Sequence, residues 1–389
     1  GMYRHAAYYV EIPPEWNGEL VVWAHGLQGD EKILRAEPPP AGLRKEFIEQ
    51  GYAWAASSFP TTGYNVGPAV TSSRDLAEYA ASEVLGHRPE RTYITGGSMG
   101  GHVVARSLEE YPQSYDGALS LCGQVGDRRL YDYFLDANLA AQALAGVDAH
   151  PVGDDYATKA LPLIKERLGL TGLMPGGTPT TVAGRQYQQM FTELSGGPRP
   201  GADAALGMYV DAMLQFAPAT GGSSQTQNLT THYKPTTPAD INPTVERVAP
   251  ESWDERNSME LKDMPRVLGR PGVPLMSIHN IADMLVPLSM QQTYTKAVAA
   301  KGQSDLLVNR EIRSATHCDF SDVELSKAWK DLTRWVERRE VRGAKAVRPA
   351  GDNILDRKKV ASPAFGCRFT DPAAPATPVS ASRALFPDC

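Results

Sequence analysis

The chain has 389 residues, 42% of them hydrophobic and 22% charged, with 39 basic against 45 acidic side chains and a formal net charge of −6. That length and composition suit a large buried core arranged as one big domain or two. The charge is spread without basic blocks and no apolar run approaches the roughly 18 residues of a membrane helix, so neither a nucleic-acid partner nor a membrane span is expected.

The opening "GMYRHAAYYVEIP" carries no charged-then-apolar leader, and Gly1 ahead of Met2 reads as an added residue, so the terminus leaves the compartment open. Short apolar runs ended by turn residues follow at "YYVEIP" (8–13), "ELVVWAHG" (19–26), "YAWAASSF" (52–59), "RTYITGG" (91–97) and "DGALSLCG" (116–123), and these read as strands. Between the later ones lie helical patterns at "GLRKEFIEQG", "SRDLAEYAASEVLG" and "HVVARSLEEYP", the last stopped by Pro112. Strand alternating with helix predicts a mainly parallel sheet.

Residues 123–270 interrupt that rhythm. They hold the helical stretches "RLYDYFLDANLAAQALAG", "YATKALPLIKERLG", "AGRQYQQMFTEL" and "AALGMYVDAMLQF", then a polar Gly/Ser/Thr/Pro stretch over 218–250. The alternation resumes with "GVPLMSIHN", "LSMQQTYTKAVAAKG", "DLLVNREI" and "DVELSKAWKDLTRWVERR", so the sheet is completed after a mostly helical insertion. From about Val341 the chain turns Arg/Ala/Pro-rich and reads as a tail. The expected units are a core over 1–122 and 271–340, an insertion over 123–270 and a tail over 341–389.

The four cysteines, Cys122, Cys318, Cys367 and Cys389, include no C-x-x-C pair, which argues against a zinc site; no metal and no cofactor are expected. Two of them lie in the Pro/Ala-rich tail, which has little means of its own to stay ordered, so a Cys367–Cys389 disulfide is expected there. An oxidising compartment, secreted or periplasmic, follows from that reading; four free thiols would indicate the cytoplasm.

Four glycines crowd one serine in "TYITGGSMGG" (92–101). Residues Gly96 to Gly100 match G-x-S-x-G, in which a sharp strand-to-helix turn exposes the serine hydroxyl, and both the strand before and the helix after are in place. A serine hydroxyl needs a base, itself held by a third group. Among eight histidines, His317 in "RSATHCDF" lies just past the last strand pattern, where a loop reaches back over the sheet end. His102 and His279 fall in regular elements and read as packing residues. For the acid, Asp283 in "SIHNIADMLVP" ends the preceding strand, whereas Asp305 precedes its strand and Asp319 is a local rival.

The order Ser98, Asp283, His317, the elbow "GGSMGG", the "AHG" at 24–26 and "ADMLVP" at 282–287 resemble the α/β-hydrolase superfamily over about 8–122 and 271–340. The resemblance implies an α/β fold with a mainly parallel doubly wound sheet, a helical cap inserted after the sixth strand, and an oxyanion hole from the backbone N–H groups of Leu27 and Met99. The pair His317-Cys318 is similar to tannase and feruloyl-esterase-like enzymes, where a disulfide ties the residue after the histidine to a cysteine beside the nucleophile. Here that neighbour is Gly97, leaving Cys122 either as a substitute partner or as a buried free thiol.

The expected activity is serine hydrolysis of a small-molecule carboxylic ester through an acyl-enzyme. An amidase or peptidase using the same three residues, and an inactive binding module of the same fold, are the alternatives. Most aromatics of the insertion should pack its own core, with a minority lining a substrate pocket; Tyr187 and Phe191, one helical turn apart, are the first candidates. The sequence does not fix an oligomeric state.

Overall fold

The computed structural model describes residues 1–389 apart from 30–32, 221–224, 237–239, 260–261, 341–346 and 375–379. Chain order gives β1 (Met2–Tyr3), β2 (Ala6–Glu11), β3 (Leu20–Ala24), α1 (Ala41–Glu49), β4 (Ala53–Ser57), α2 (Val66–Tyr79), β5 (Thr92–Gly97), α3 (Met99–Glu110) and β6 (Gly117–Leu121). After β6 come α4 (Arg129–Ala145), α5 (Leu161–Arg167), α6 (Val182–Leu194), α7 (Ala202–Thr220) and α8 (Trp253–Asn257). The rest is β7 (Leu275–Asn280), α9 (Leu288–Ala300), β8 (Leu307–Ile312), α10 (Asp322–Glu340) and α11 (Arg357–Val360).

The eight strands form one sheet in the order β1-β2-β4-β3-β5-β6-β7-β8. The first two strands run antiparallel and every pairing from β4–β3 to β7–β8 is parallel. The central strands are buried almost throughout because both of their faces are covered. Along β3, Leu20 and Val22 belong to the core that α2, α3 and α9 cover, while Val21 and Trp23 belong to the one that α1 and α10 cover. The period of two thus sorts one strand's side chains into two separate cores.

The largest differences from the sequence reading are at β1 and α2. The two-residue β1 is too short to leave a pattern of alternation. The helix read from residue 73 begins at Val66, with Pro68 in its first turn, where a missing N–H has no intrahelical acceptor to lose. The free N–H groups of Val66 and Gly67 donate instead to the carbonyls of Asp263 and Lys262, far along the chain.

The segment between β6 and β7 builds its own core from α4, α5, α6 and α7, including Tyr133, Phe134, Tyr187, Met190, Phe191 and Met213. Gly146 caps α4 at φ 61°, in the left-handed region. The polar stretch read over 218–250 falls partly on undescribed residues 221–224 and 237–239. Within it, Asn228 begins an Asn-Leu-Thr glycosylation sequon but is fully buried, donating to Tyr233 Oη and the Glu246 carbonyl, so it offers no surface for glycosylation.

The described residues after 346 pack onto the domain. The N–H of Asp352 donates to the Asn309 carbonyl, and its carboxylate accepts from the Glu311 N–H at the free edge of β8. Ile354, Val360 and Phe365 bury themselves against Ile281 and Leu288. Cys367 and Cys389 are disulfide-bonded with Cα atoms 5.5 Å apart. No described helix is long and apolar enough to cross a membrane.

Candidate active site

Strand β5 ends at Gly97 and α3 begins at Met99, so one residue, Ser98, makes the whole turn. It does so at φ 56° and ψ −120°, a conformation costing a non-glycine residue about 1–3 kcal/mol. The surroundings hold it there: its N–H donates to the Leu121 carbonyl (3.0 Å), and its carbonyl accepts from Gly101 and Gln124 (2.9 Å each). The crowd of glycines follows from this tight crossing. A side chain at Gly96 would run into the Gly100 carbonyl, one at Gly100 into the Ala24 carbonyl, and one at Gly101 into Gly123 Cα. Gly97 is the exception, since a Cβ there meets nothing nearer than Trp23 at 3.5 Å.

Ser98, Asp283 and His317 are brought together by three different strand ends. Ser98 Oγ lies 2.8 Å from His317 Nε2, and His317 Nδ1 lies 2.5 Å from Asp283 Oδ2. Asp283 is fully buried after β7, and its other oxygen accepts from the N–H groups of Leu285 and Val286. That fixes the carboxylate before the imidazole arrives. Both rivals are committed elsewhere: Asp305 is mostly exposed and 3.9 Å from Arg339, and Asp319 accepts from Ser314 Oγ and Arg383 Nε.

Two other histidines sit near this line without joining it. His102 donates from Nε2 to the Pro265 carbonyl and accepts at Nδ1 from Tyr64, which assigns it a neutral structural tautomer. His279 is fully buried beside Asp283, and burial pushes its pKa down to about 4, so it stays neutral there.

Gly26 packs directly on the elbow, where a Cβ would lie 3.3 Å from Ser98 Cβ and 3.9 Å from Ser98 Oγ. Leu27 follows it with a half-exposed side chain, and Met99 opens α3 with its N–H in the first turn, where helix donors have no intrahelical acceptor. His25 is buried against Phe59 with ring centroids 4.1 Å apart, and its Nδ1–H donates to the Gly26 carbonyl. Burial lowers its pKa.

Cys122 pairs with Cys318 across 196 residues of sequence, with Cα atoms 5.2 Å apart. The bond joins the end of β6 to the residue after His317, with Cys122 standing where Gly97 supplies no sulfur. Because these thiols are bonded to each other, their closeness to His317 is no metal site.

Several groups here left no local signal in the sequence. From the inserted segment, Tyr209 Oη donates to the Ala315 carbonyl (2.5 Å), Tyr133 Oη to the Met284 carbonyl (3.0 Å), and Arg199 to the Ile281 carbonyl. They grip the two loops that carry Asp283 and His317. Tyr187 and Phe191, the first substrate-contact candidates, are instead 0% and 1% exposed. Their rings stack on each other at 5.8 Å and Phe191 stacks on Tyr133, so they fill the insertion's core and present no surface to a substrate.

No family profile matches the chain. The o-phthalyl amidase of Xanthobacter agilis is 22% identical over 384 residues, spanning 83% of each chain. Among solved structures, feruloyl esterase B from Aspergillus oryzae superposes with a TM-score of 0.50 at 14% identity, over 86% of this chain and 79% of that one. Another esterase from Aspergillus oryzae gives a TM-score of 0.49 at 13% identity, over 85% and 77%. By strand order, element sequence and structural likeness, the chain is an α/β-hydrolase in fold.

Proposed function

We propose that this protein is a serine hydrolase cleaving carboxylic esters, with Ser98 as nucleophile, His317 as base and Asp283 as its orienting partner. The hydrogen-bonded chain from Ser98 Oγ through His317 to Asp283, at 2.8 Å and 2.5 Å, carries the reading. Ser98 Oγ attacks the carbonyl carbon while its proton passes to Nε2, and Asp283 stabilises the imidazolium so formed. The C–O bond to the alcohol then breaks, the proton on Nε2 leaves with the alcohol, and water repeats the sequence to free the acid and restore Ser98.

The oxyanion hole is assigned to the backbone N–H groups of Leu27, next to Gly26 on the elbow, and of Met99, at the start of α3; removing such a donor costs about 3 kcal/mol in other acyl-transfer enzymes. A direct test is Ser98→Ala, expected to remove ester turnover by several orders of magnitude with the fold intact. Retention of more than about a tenth of the activity contradicts the assignment.

The sequence likeness to an amidase over 83% of both chains favours a second reading in which the leaving group is an amine. Matched ester and anilide substrates sharing one acyl group separate the two. Comparable kcat/KM values favour the amidase, because only an enzyme that protonates nitrogen well removes the ester's intrinsic advantage. The substrate boundary belongs to the inserted segment acting as a cap, though not to Tyr187 and Phe191, which are too buried to meet a substrate. Two disulfides support an oxidising compartment.

A further inference from the structure

The reactive geometry depends on an imidazole that is hydrogen-bonded to Ser98 and Asp283 and carried on a loop, so the loop backbone must place it. That loop lies between β8 and α10. Its residue Cys318 has φ 59°, in the left-handed region, where a non-glycine residue persists only if the surroundings hold it. The hold on the outer side comes from the last residues of the chain.

Ser382 is 5% exposed, and its Oγ meets Ser314 Oγ at 2.9 Å, the Ala315 N–H at 3.2 Å, the Thr316 N–H at 3.1 Å and Thr316 Oγ1 at 2.9 Å. One hydroxyl thus gathers the three residues before His317. Arg383 does the same on the far side: Nε donates to Asp319 Oδ2 (3.1 Å) and Nη2 to the Asp319 carbonyl (3.0 Å). Its fork also spans both oxygens of Glu324 at the start of α10 (2.9 and 3.0 Å). Asp319 and Glu324 are 9% and 4% exposed, and this guanidinium pairs with both of their charges.

The segment is tied down at both flanks. Cys367 is bonded to Cys389, and Arg313 donates to the carbonyls of Pro363, Phe365 and Pro387. A sequence that reads as a loose tail is therefore fastened around the loop that carries His317.

Resting on the triad proposed above, we infer that this C-terminal segment is a strap in which Ser382 and Arg383 are positioning residues for His317. They act through the backbone of 314–316 and 319 and touch no substrate. The strap complements two other tethers on the same loop, the Cys122–Cys318 bond and Tyr209 on the Ala315 carbonyl.

The test uses the full chain carrying Ser382→Ala, Ser382→Thr or Arg383→Met, beside Ser98→Ala. The readouts are kcat and KM on p-nitrophenyl acetate, the rate of phosphonylation by a fluorophosphonate, the unfolding midpoint and the free-thiol count. Ser382→Ala and Arg383→Met are expected to lower kcat and the phosphonylation rate together by about 10- to 100-fold, the cost of misplacing a catalytic group by about an ångström. KM should stay nearly constant and both disulfides intact, while Ser382→Thr, which keeps the hydroxyl, restores most of kcat. Unchanged kcat and phosphonylation in folded Ser382→Ala would overturn the strap and leave the triad standing. A loss of kcat only in proportion to unfolded protein would overturn it equally. Full activity in Ser98→Ala would overturn the triad reading and the strap with it.

Discussion

At the scale of single residues, the elbow is decided by backbone contact distance more than by chemistry. Gly100 faces the Ala24 carbonyl with no room for a methyl group, whereas Gly97 has open contact at 3.5 Å from Trp23. Gly100→Ala should therefore yield little folded protein, and Gly97→Ala should express normally and keep most of its activity. Circular dichroism and ester turnover on the pair check this, and equal damage from both would contradict it. Asp136 offers a second residue-level test. Burial raises its carboxyl to about 7, against the lowering effect of hydrogen bonds from Tyr233 and Thr231. Between its unfolded value and about 7 the folded state binds the extra proton, so this group's contribution to stability falls as pH rises through that window and levels off above it. Asp136→Asn should thus raise the melting temperature relative to the parent more at pH 8 than at pH 5. An equal difference at both pH values would show that Asp136 does not titrate there.

At the scale of elements, what was legible and what was not divides by sequence distance. Strands β3 to β8 and the helices beside them left local patterns, because a strand covered on both faces must be apolar and a helix between strands must show a stripe. That Ser98, Asp283 and His317 lie side by side was legible from the strand end each one follows. The contacts that steady them were not. Tyr133 reaches Met284 across 151 residues, Tyr209 reaches Ala315 across 106, and Ser382 reaches Ser314 across 68. Such pairs have no periodicity to betray them. Tyr187 and Phe191 of the inserted segment showed helical spacing that a core and a pocket share, and burial separates the two. Because Tyr209 holds the histidine loop through one hydroxyl, Tyr209→Phe should lower kcat several-fold while altering KM little. A change confined to KM would place Tyr209 in substrate binding instead.

At the scale of the whole molecule, two disulfides close loops of very different length, 196 and 22 residues. In the chain-entropy model they stabilise by about 5 and about 3 kcal/mol. Thiol titration of denatured, unreduced protein from an oxidising host should find no free cysteine, and four free thiols would contradict both pairings and the compartment drawn from them. The central claim, that Ser98 is a nucleophile activated by His317, is tested most directly by mapping the adduct of a fluorophosphonate by peptide mass spectrometry. The account predicts one adduct per chain, on Ser98, formed in parallel with loss of ester turnover and abolished in His317→Ala. Turnover that persists with Ser98 fully modified, or an adduct that forms at the same rate without His317, would contradict it.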